Sequence, residues 1–91
     1  MYNELLVKRI ISATRRNDIK WMRRIYSKGK MFIGKHKIDG KKHLLLRVFM
    51  ADDMKDSHLV IYMTGNIFVT KIEIMDCSEL YDLIFVLDYR V

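Results

Sequence analysis

Apolar residues recur with a helical period along the opening of the chain. Leu6, Ile10 and Ala13, with Val7 and Ile11, make one stripe, while Lys8, Arg9 and Ser12 fall opposite. Asn3 is a capping residue type and Glu4 suits the positive end of a helix dipole. The spacing predicts a helix over about Glu4–Thr14. The next stretch, RRNDIKWMRR, has two readings. As a helix, Trp21, Met22, Ile25 and Tyr26 share one side and Arg16, Lys20, Arg23 and Arg24 the other. As a strand, Ile19, Trp21 and Ile25 face inward, leaving Met22 and Tyr26 outside, so the pattern favours a helix over 17–26.

After SKGK the period becomes two. MFIGKHKI and KKHLLLRVFM flank Asp39-Gly40, a dipeptide suited to a type I′ hairpin turn because both central residues need positive φ. A two-residue turn there sets Ile38 against Lys41, His36 against His43 and Gly34 against Leu45. One face then gathers Met31, Ile33, Leu44, Leu46, Val48 and Met50. A second hairpin, HLVIYMT and IFVTKIEIM around Gly65-Asn66, places Leu59, Ile61, Met63, Phe68, Ile72 and Ile74 together. A final helix begins at Asp76 or Ser78, with Glu79 in its first turn, and runs Leu80, Leu83, Ile84, Leu87 at i, i+3, i+4, i+7. The expected architecture is α+β: a four-stranded antiparallel sheet of two hairpins, with an N-terminal and a C-terminal helix packed on one face.

A chain of 91 residues has material for one core, so a single domain spans 1–91. With 51% hydrophobic and 31% charged residues and no proline, it has the composition of a globular domain rather than a linker or a disordered segment. The longest apolar runs, LVIYM and LIFVL, fall far short of the ~20 residues a membrane-spanning helix needs. Glu4, Lys8 and Arg9 stand where a signal peptide would carry its apolar core. The lone Cys77 has no partner for an internal disulfide. A soluble cytoplasmic protein is expected, without a membrane partner.

Charge changes the picture more than composition does. From Met1 to Arg47 fourteen Lys and Arg stand against Glu4, Asp18 and Asp39, a balance of +11, whereas from Val48 onward three cations meet eight carboxylates, −5. If the fold keeps the halves on different surfaces, the basic one attracts polyanions or an acidic protein patch. If the halves pack together, they neutralise each other.

Groups able to do chemistry are few. His36 and His43, with His58, could offer imidazoles to a metal, but lysines 35, 37, 41 and 42 surround them with charge that repels a cation. Asp52, Asp53, Asp56 and His58 lie in ADDMKDSH, which lacks the glycine and spacing of a calcium loop and reads as a polar turn. Cys77, near a helix start, has no evident base and reads as a packing residue. No catalytic residue, metal or cofactor is expected, and an enzyme is disfavoured.

The element order, with SATRRNDIKW after the first helix and SELYDLI in the last, resembles a group of small uncharacterised bacterial and prophage proteins. In them a short helix ends in an Ala-Thr step, followed by a basic or glycine-containing turn, a Trp in an extended segment, a meandering sheet and a final Leu-Tyr-containing helix. The chain departs from that pattern in carrying Arg15 and Arg16 and in the number of cations around its Trp. The resemblance implies no catalytic residue. It implies a mobile-element accessory protein that binds and blocks a host component.

The candidate contact residues are therefore Arg15, Arg16, Lys20, Arg23, Arg24, Lys35, Lys37, Lys41 and Lys42. Trp21 is expected to anchor this basic segment to the core, as a lone Trp in a small domain commonly does. The first functional reading is a non-enzymatic phage or mobile-element protein that docks its basic surface on an acidic or nucleic-acid-binding surface of a host defence or replication protein. The alternative is a nucleic-acid-binding protein gripping phosphates with the same cations, with Trp21, Tyr26 or Phe32 free to stack on bases. Sequestration of a small nucleotide ligand is a third.

Overall fold

The computed structural model describes residues 2–39, 42–64 and 69–91. Helix α1 (Tyr2–Arg15) is followed by five strands, β1 (Lys20–Tyr26), β2 (Gly29–Asp39), β3 (Lys42–Ala51), β4 (His58–Thr64) and β5 (Val69–Met75), and by helix α2 (Ser78–Arg90). The strands form one antiparallel meander in chain order. The class is α+β as expected, with five strands where the sequence pattern gives four.

The additional strand is the segment read as a helix. Helix α1 ends because Asn17 adopts the left-handed conformation, φ 62°. The Asn17 amide bonds back to the Thr14 carbonyl at 3.0 Å and the Asp18 amide to the Ala13 carbonyl at 2.9 Å. These are the paired closing bonds of a Schellman end, for which Asn is the second residue type after glycine. The chain leaves this turn extended, and β1 pairs along its length with β2, Trp21 opposite Gly34.

Both helices lie on one face of the sheet, as the sequence predicts. Val7, Ile10, Ile11 and Ala13 of α1 and Leu80, Leu83, Ile84 and Leu87 of α2 pack with Phe32, Leu44, Leu46, Val48, Leu59, Ile61 and Ile74 in a single core. Burying a side chain of Leu or Phe size stabilises by about 1.5–3 kcal/mol, so this layer holds the fold together.

The first hairpin pairs one residue away from the predicted register. Lys37, not His36, opposes His43, and Gly34 opposes Leu46, with an irregularity between Lys37 and Asp39. A one-residue slip exchanges the two faces of a strand. Phe32 accordingly enters the core, while Met31 and Ile33 turn to the opposite face. The slip matches what is buried: Phe32 brings to the core an aromatic ring that Met31 and Ile33 lack, and Gly34 comes to lie beneath the indole of Trp21. In the second hairpin the predicted inward set is found for Leu59, Ile61, Met63, Ile72 and Ile74, but Thr64 pairs with Val69, two residues away from the register of a two-residue Gly65-Asn66 turn, a shift that leaves the faces unchanged; Phe68 and the turn itself lie outside the described residues. Gly40 and Lys41 of the first turn lie outside them as well.

The helix ends are tied by side chains. Arg90, in the last turn of α2, donates to the carbonyls of Thr14 (3.1 Å) and Arg15 (3.2 Å), so a cation meets the negative end of α1. Lys30 reaches Asp88 at 2.9 Å and links the basic and acidic halves of the chain. No helix among the described residues is long and apolar enough to cross a membrane.

Candidate interaction surface

With both helices on one side, the other face of the sheet is left open. Alternation decides what it carries. Core residues occupy even positions of β2 and β3, odd positions of β4 and even positions of β5, so their neighbours project outward. The outward rows are Lys20, Met22, Arg24 and Tyr26 on β1, and Met31, Ile33, Lys35 and Lys37 on β2. Beside them stand His43, Leu45, Arg47 and Phe49 on β3, His58, Val60, Tyr62 and Thr64 on β4, and Lys71, Glu73 and Met75 on β5.

Cations and rings are interleaved there. The Arg47 guanidinium lies over the Tyr62 ring, 5.9 Å from its centroid, within reach of a cation–π attraction. Phe49 and His58, directly opposed across β3 and β4, set their rings 5.5 Å apart at 39°. Tyr26 is 50% exposed and Met22 52% on the edge strand, so apolar surface stays accessible between charges. Glu73 is the one carboxylate among the described side chains of this face. It pairs with Lys71 at 3.0 Å, and its hydrogen bond and charge hold the Lys71 ammonium above its ordinary range. Among the described side chains no carboxylate pairs with another cation of the face, whereas on the helix side Lys30 meets Asp88.

The sequence-derived contact residues divide between surfaces. Lys20, Arg24, Lys35 and Lys37 share the open face. Arg23 projects to the helix side of the sheet edge, and Arg15 and Arg16 end α1, where Arg16 pairs with Asp18 at 3.0 Å. Lys41 and the side chain of Lys42 lie outside the described residues. Arg47, Lys71, Phe49 and Tyr62 belong to the face and were missed, although each flanks a core residue in a period-two pattern that could have revealed it. Phe32, considered as a stacking group, is instead fully buried.

Trp21 anchors the segment as expected. Its indole N–H donates to the Thr14 hydroxyl at 3.0 Å, and that hydroxyl donates to the Ile10 carbonyl at 2.8 Å. The ring thus ties β1 to α1 through a buried hydroxyl that both accepts and donates, and the cations beside it face solvent.

The remaining candidates are not gathered into a site. The register puts His36 and His43 on opposite faces, contrary to the predicted pairing, and His36 Nδ1 lies 3.3 Å from the Asp18 carbonyl. Among the described residues no group of three His, Cys, Asp or Glu side chains is placed to hold a metal ion. Asp53 caps a single 3₁₀ turn, Met54–Asp56, by accepting from the Lys55 amide at 3.1 Å. Cys77 occupies the cap position of α2, its thiol donating to Glu79 at 3.1 Å. Partial burial is the first cause that pushes this thiol up from its ordinary value, the opposite of an activated nucleophile, while the same bond helps to hold the Glu79 carboxyl low.

No protein-family model, curated protein or solved structure matches the chain.

Proposed function

We propose that the protein is a non-enzymatic binding protein whose working surface is the open face of its sheet, and that it serves a phage or other mobile element by occupying an anionic surface of a host macromolecule. One observation carries this reading. Both helices cover the same side, leaving the opposite side rich in lysine and arginine, poor in carboxylate and studded with aromatic and Met side chains. Aromatic residues, Met and Arg are the types enriched where proteins bind one another, and unpaired cations speed encounter with an opposite charge. Of the two host surfaces expected from sequence, charge favours an acidic one, since a nucleic-acid-binding surface is itself basic and would repel this face. A cytoplasmic setting is part of this reading, and the single free thiol, which suits a reducing compartment, supports it.

Nucleic acid itself is a second reading, favoured by the interleaving of rings with cations across β3 and β4. Either way, the face and not net charge must decide. The experiment compares two variants that each lose three charges: Arg24→Gln, Lys35→Gln, Arg47→Gln on the open face, and Arg9→Gln, Arg15→Gln, Arg16→Gln along α1 and just beyond it. Retention on immobilised polyglutamate and on immobilised single-stranded DNA is read over a salt gradient. The open-face variant should elute at clearly lower salt than the α1 variant on at least one support. Equal elution of the two on both supports overturns the assignment of the face.

A further inference from the structure

The geometry points to a more definite ligand for this face: we infer that it binds single-stranded nucleic acid, with unpaired bases stacked on Phe49 and Tyr62 and phosphates held by the cations around them. The inference rests on the reading of the open face as the working surface. Phe49 stands beside His58, and Tyr62 lies four positions further along β4, so the two backbone positions are about 13 Å apart along the strands. Arg47 pairs with Val60, midway between them, and its guanidinium lies over the Tyr62 ring at 5.9 Å from the centroid. Ring, cation and ring therefore follow one another across the two central strands. A polynucleotide has the same order, with flat bases and charged phosphates alternating along a chain.

Charge complementarity selects a polyanion, and ring placement selects among polyanions. An acidic polypeptide can answer Arg47, Lys35 and Lys71, but it brings a flat group only where an aromatic side chain occurs among its carboxylates, whereas a nucleic acid carries one beside every charge. A duplex offers phosphates while hiding the faces of its bases in its own stack. A single strand satisfies both requirements, because every base has a π-face and stacking tolerates any sequence. Recognition should accordingly be weakly sequence-dependent and strongly salt-dependent.

The test uses the full chain with fluorescein-labelled oligothymidylate and oligouridylate, a mixed-sequence DNA duplex and labelled polyglutamate, read by anisotropy over a range of salt. The variant is Phe49→Leu with Tyr62→Leu, which keeps apolar bulk and removes the rings; circular dichroism checks that it folds. If the variant does not fold, Tyr62→Leu alone replaces it, since that side chain is only partly buried. Wild type should bind the single strands more tightly than the duplex at equal salt. Loss of both rings should weaken single-strand binding about thirtyfold or more, leave the salt slope unchanged, and leave duplex and polyglutamate binding as they were. For Tyr62→Leu alone the corresponding loss is about fivefold or more. Equal affinity for single strand and duplex, or ring-free variants that bind single strands as wild type does, overturns the stacking inference while leaving the anion-binding face in place. Binding to polyglutamate but to no oligonucleotide at low salt overturns it in favour of an acidic protein partner. Binding to none of the probes overturns both.

Discussion

Gly34→Ala should cost the protein much of its margin of stability, and the reason is a single methyl group. A Cβ at this position would lie 2.7 Å from Trp21 Cε3, 2.9 Å from Trp21 Cδ2 and 2.9 Å from Ile19 Cγ2. Carbon atoms rest at about 3.5–4.0 Å, so the indole must retreat by roughly 1 Å. That retreat draws Nε1 away from Thr14 Oγ1, now at 3.0 Å, and ends the hydrogen bond that ties β1 to α1. Overpacking of this kind costs about 1–3 kcal/mol and the lost bond about 0.5–1.5 kcal/mol. Replacing glycine offsets about 0.4–1 kcal/mol by restricting the unfolded chain. The net expectation is destabilisation by about 0.5–4 kcal/mol, centred on about 2 kcal/mol, and a loss of 2 kcal/mol corresponds to about 8–16 °C in melting temperature for a domain of this size. Urea unfolding followed by fluorescence is the natural assay, because Trp21 is the only tryptophan and reports its own displacement. The cycle with Trp21→Leu completes it: without the indole the added methyl should cost at least 1 kcal/mol less. An unfolding midpoint and emission maximum equal to wild type would refute the close approach of Trp21 to Gly34.

Leu83→Asp places an unpaired charge at a fully buried position of α2 and should abolish cooperative folding, seen as loss of the far-ultraviolet melt. Thr14→Val removes the hydroxyl shared by Trp21 and the Ile10 carbonyl and should destabilise by about 1–2 kcal/mol in chemical denaturation, with a shifted Trp emission. Cys77, its thiol pushed up by burial, should react with iodoacetamide at neutral pH more slowly than free cysteine, and faster only when the protein is unfolded. Glu79 has a carboxyl held low by the Cys77 thiol, by its own backbone amide and by Ser78. Its stabilising contribution is therefore complete above the ordinary value of 4.5 and lost as pH falls through the lower folded value, so Glu79→Gln should reduce the loss of stability measured across that window.

The parts of the fold legible in the sequence are those with one face fully buried. The stripes of α1 and α2 and the inward set of β5 follow a strict period because the alternate face meets solvent or a different layer, while the unbroken apolar run of β4, Leu59 to Met63, takes its phase from its pairing with β5. Strand β1 escapes this logic. As an edge strand it buries Trp21 only in part and leaves Met22, Ile25 and Tyr26 exposed, so its apolar positions obey no burial period and happen to fit a helical wheel. The informative residue was Asn17, which closes α1 by accepting positive φ. The register of β2 was unreadable for a related reason: with Met31, Phe32 and Ile33 in succession, both phases of alternation bury something apolar, and the irregularity before the turn selects between them. The interaction surface was legible only in its N-terminal cations. Arg47, Phe49, Tyr62 and Lys71 come from strands assembled by the meander, and no local run of sequence unites them.

The cations of β1 have a further consequence at the rim of the sheet. An unpaired edge strand is a template on which another copy can add itself, and a meander that ends in a straight, accessible strand invites fibres. If two β1 strands met antiparallel about their centre, Arg23 would face its own counterpart, with Arg24 and Lys20 of each strand close by. The repulsion discourages that growth while the molecule is free. A polyanion lying along β1 would cancel the repulsion, so solubility itself should depend on the ratio of protein to polyanion: clear solutions with either in excess, and turbidity near charge equivalence.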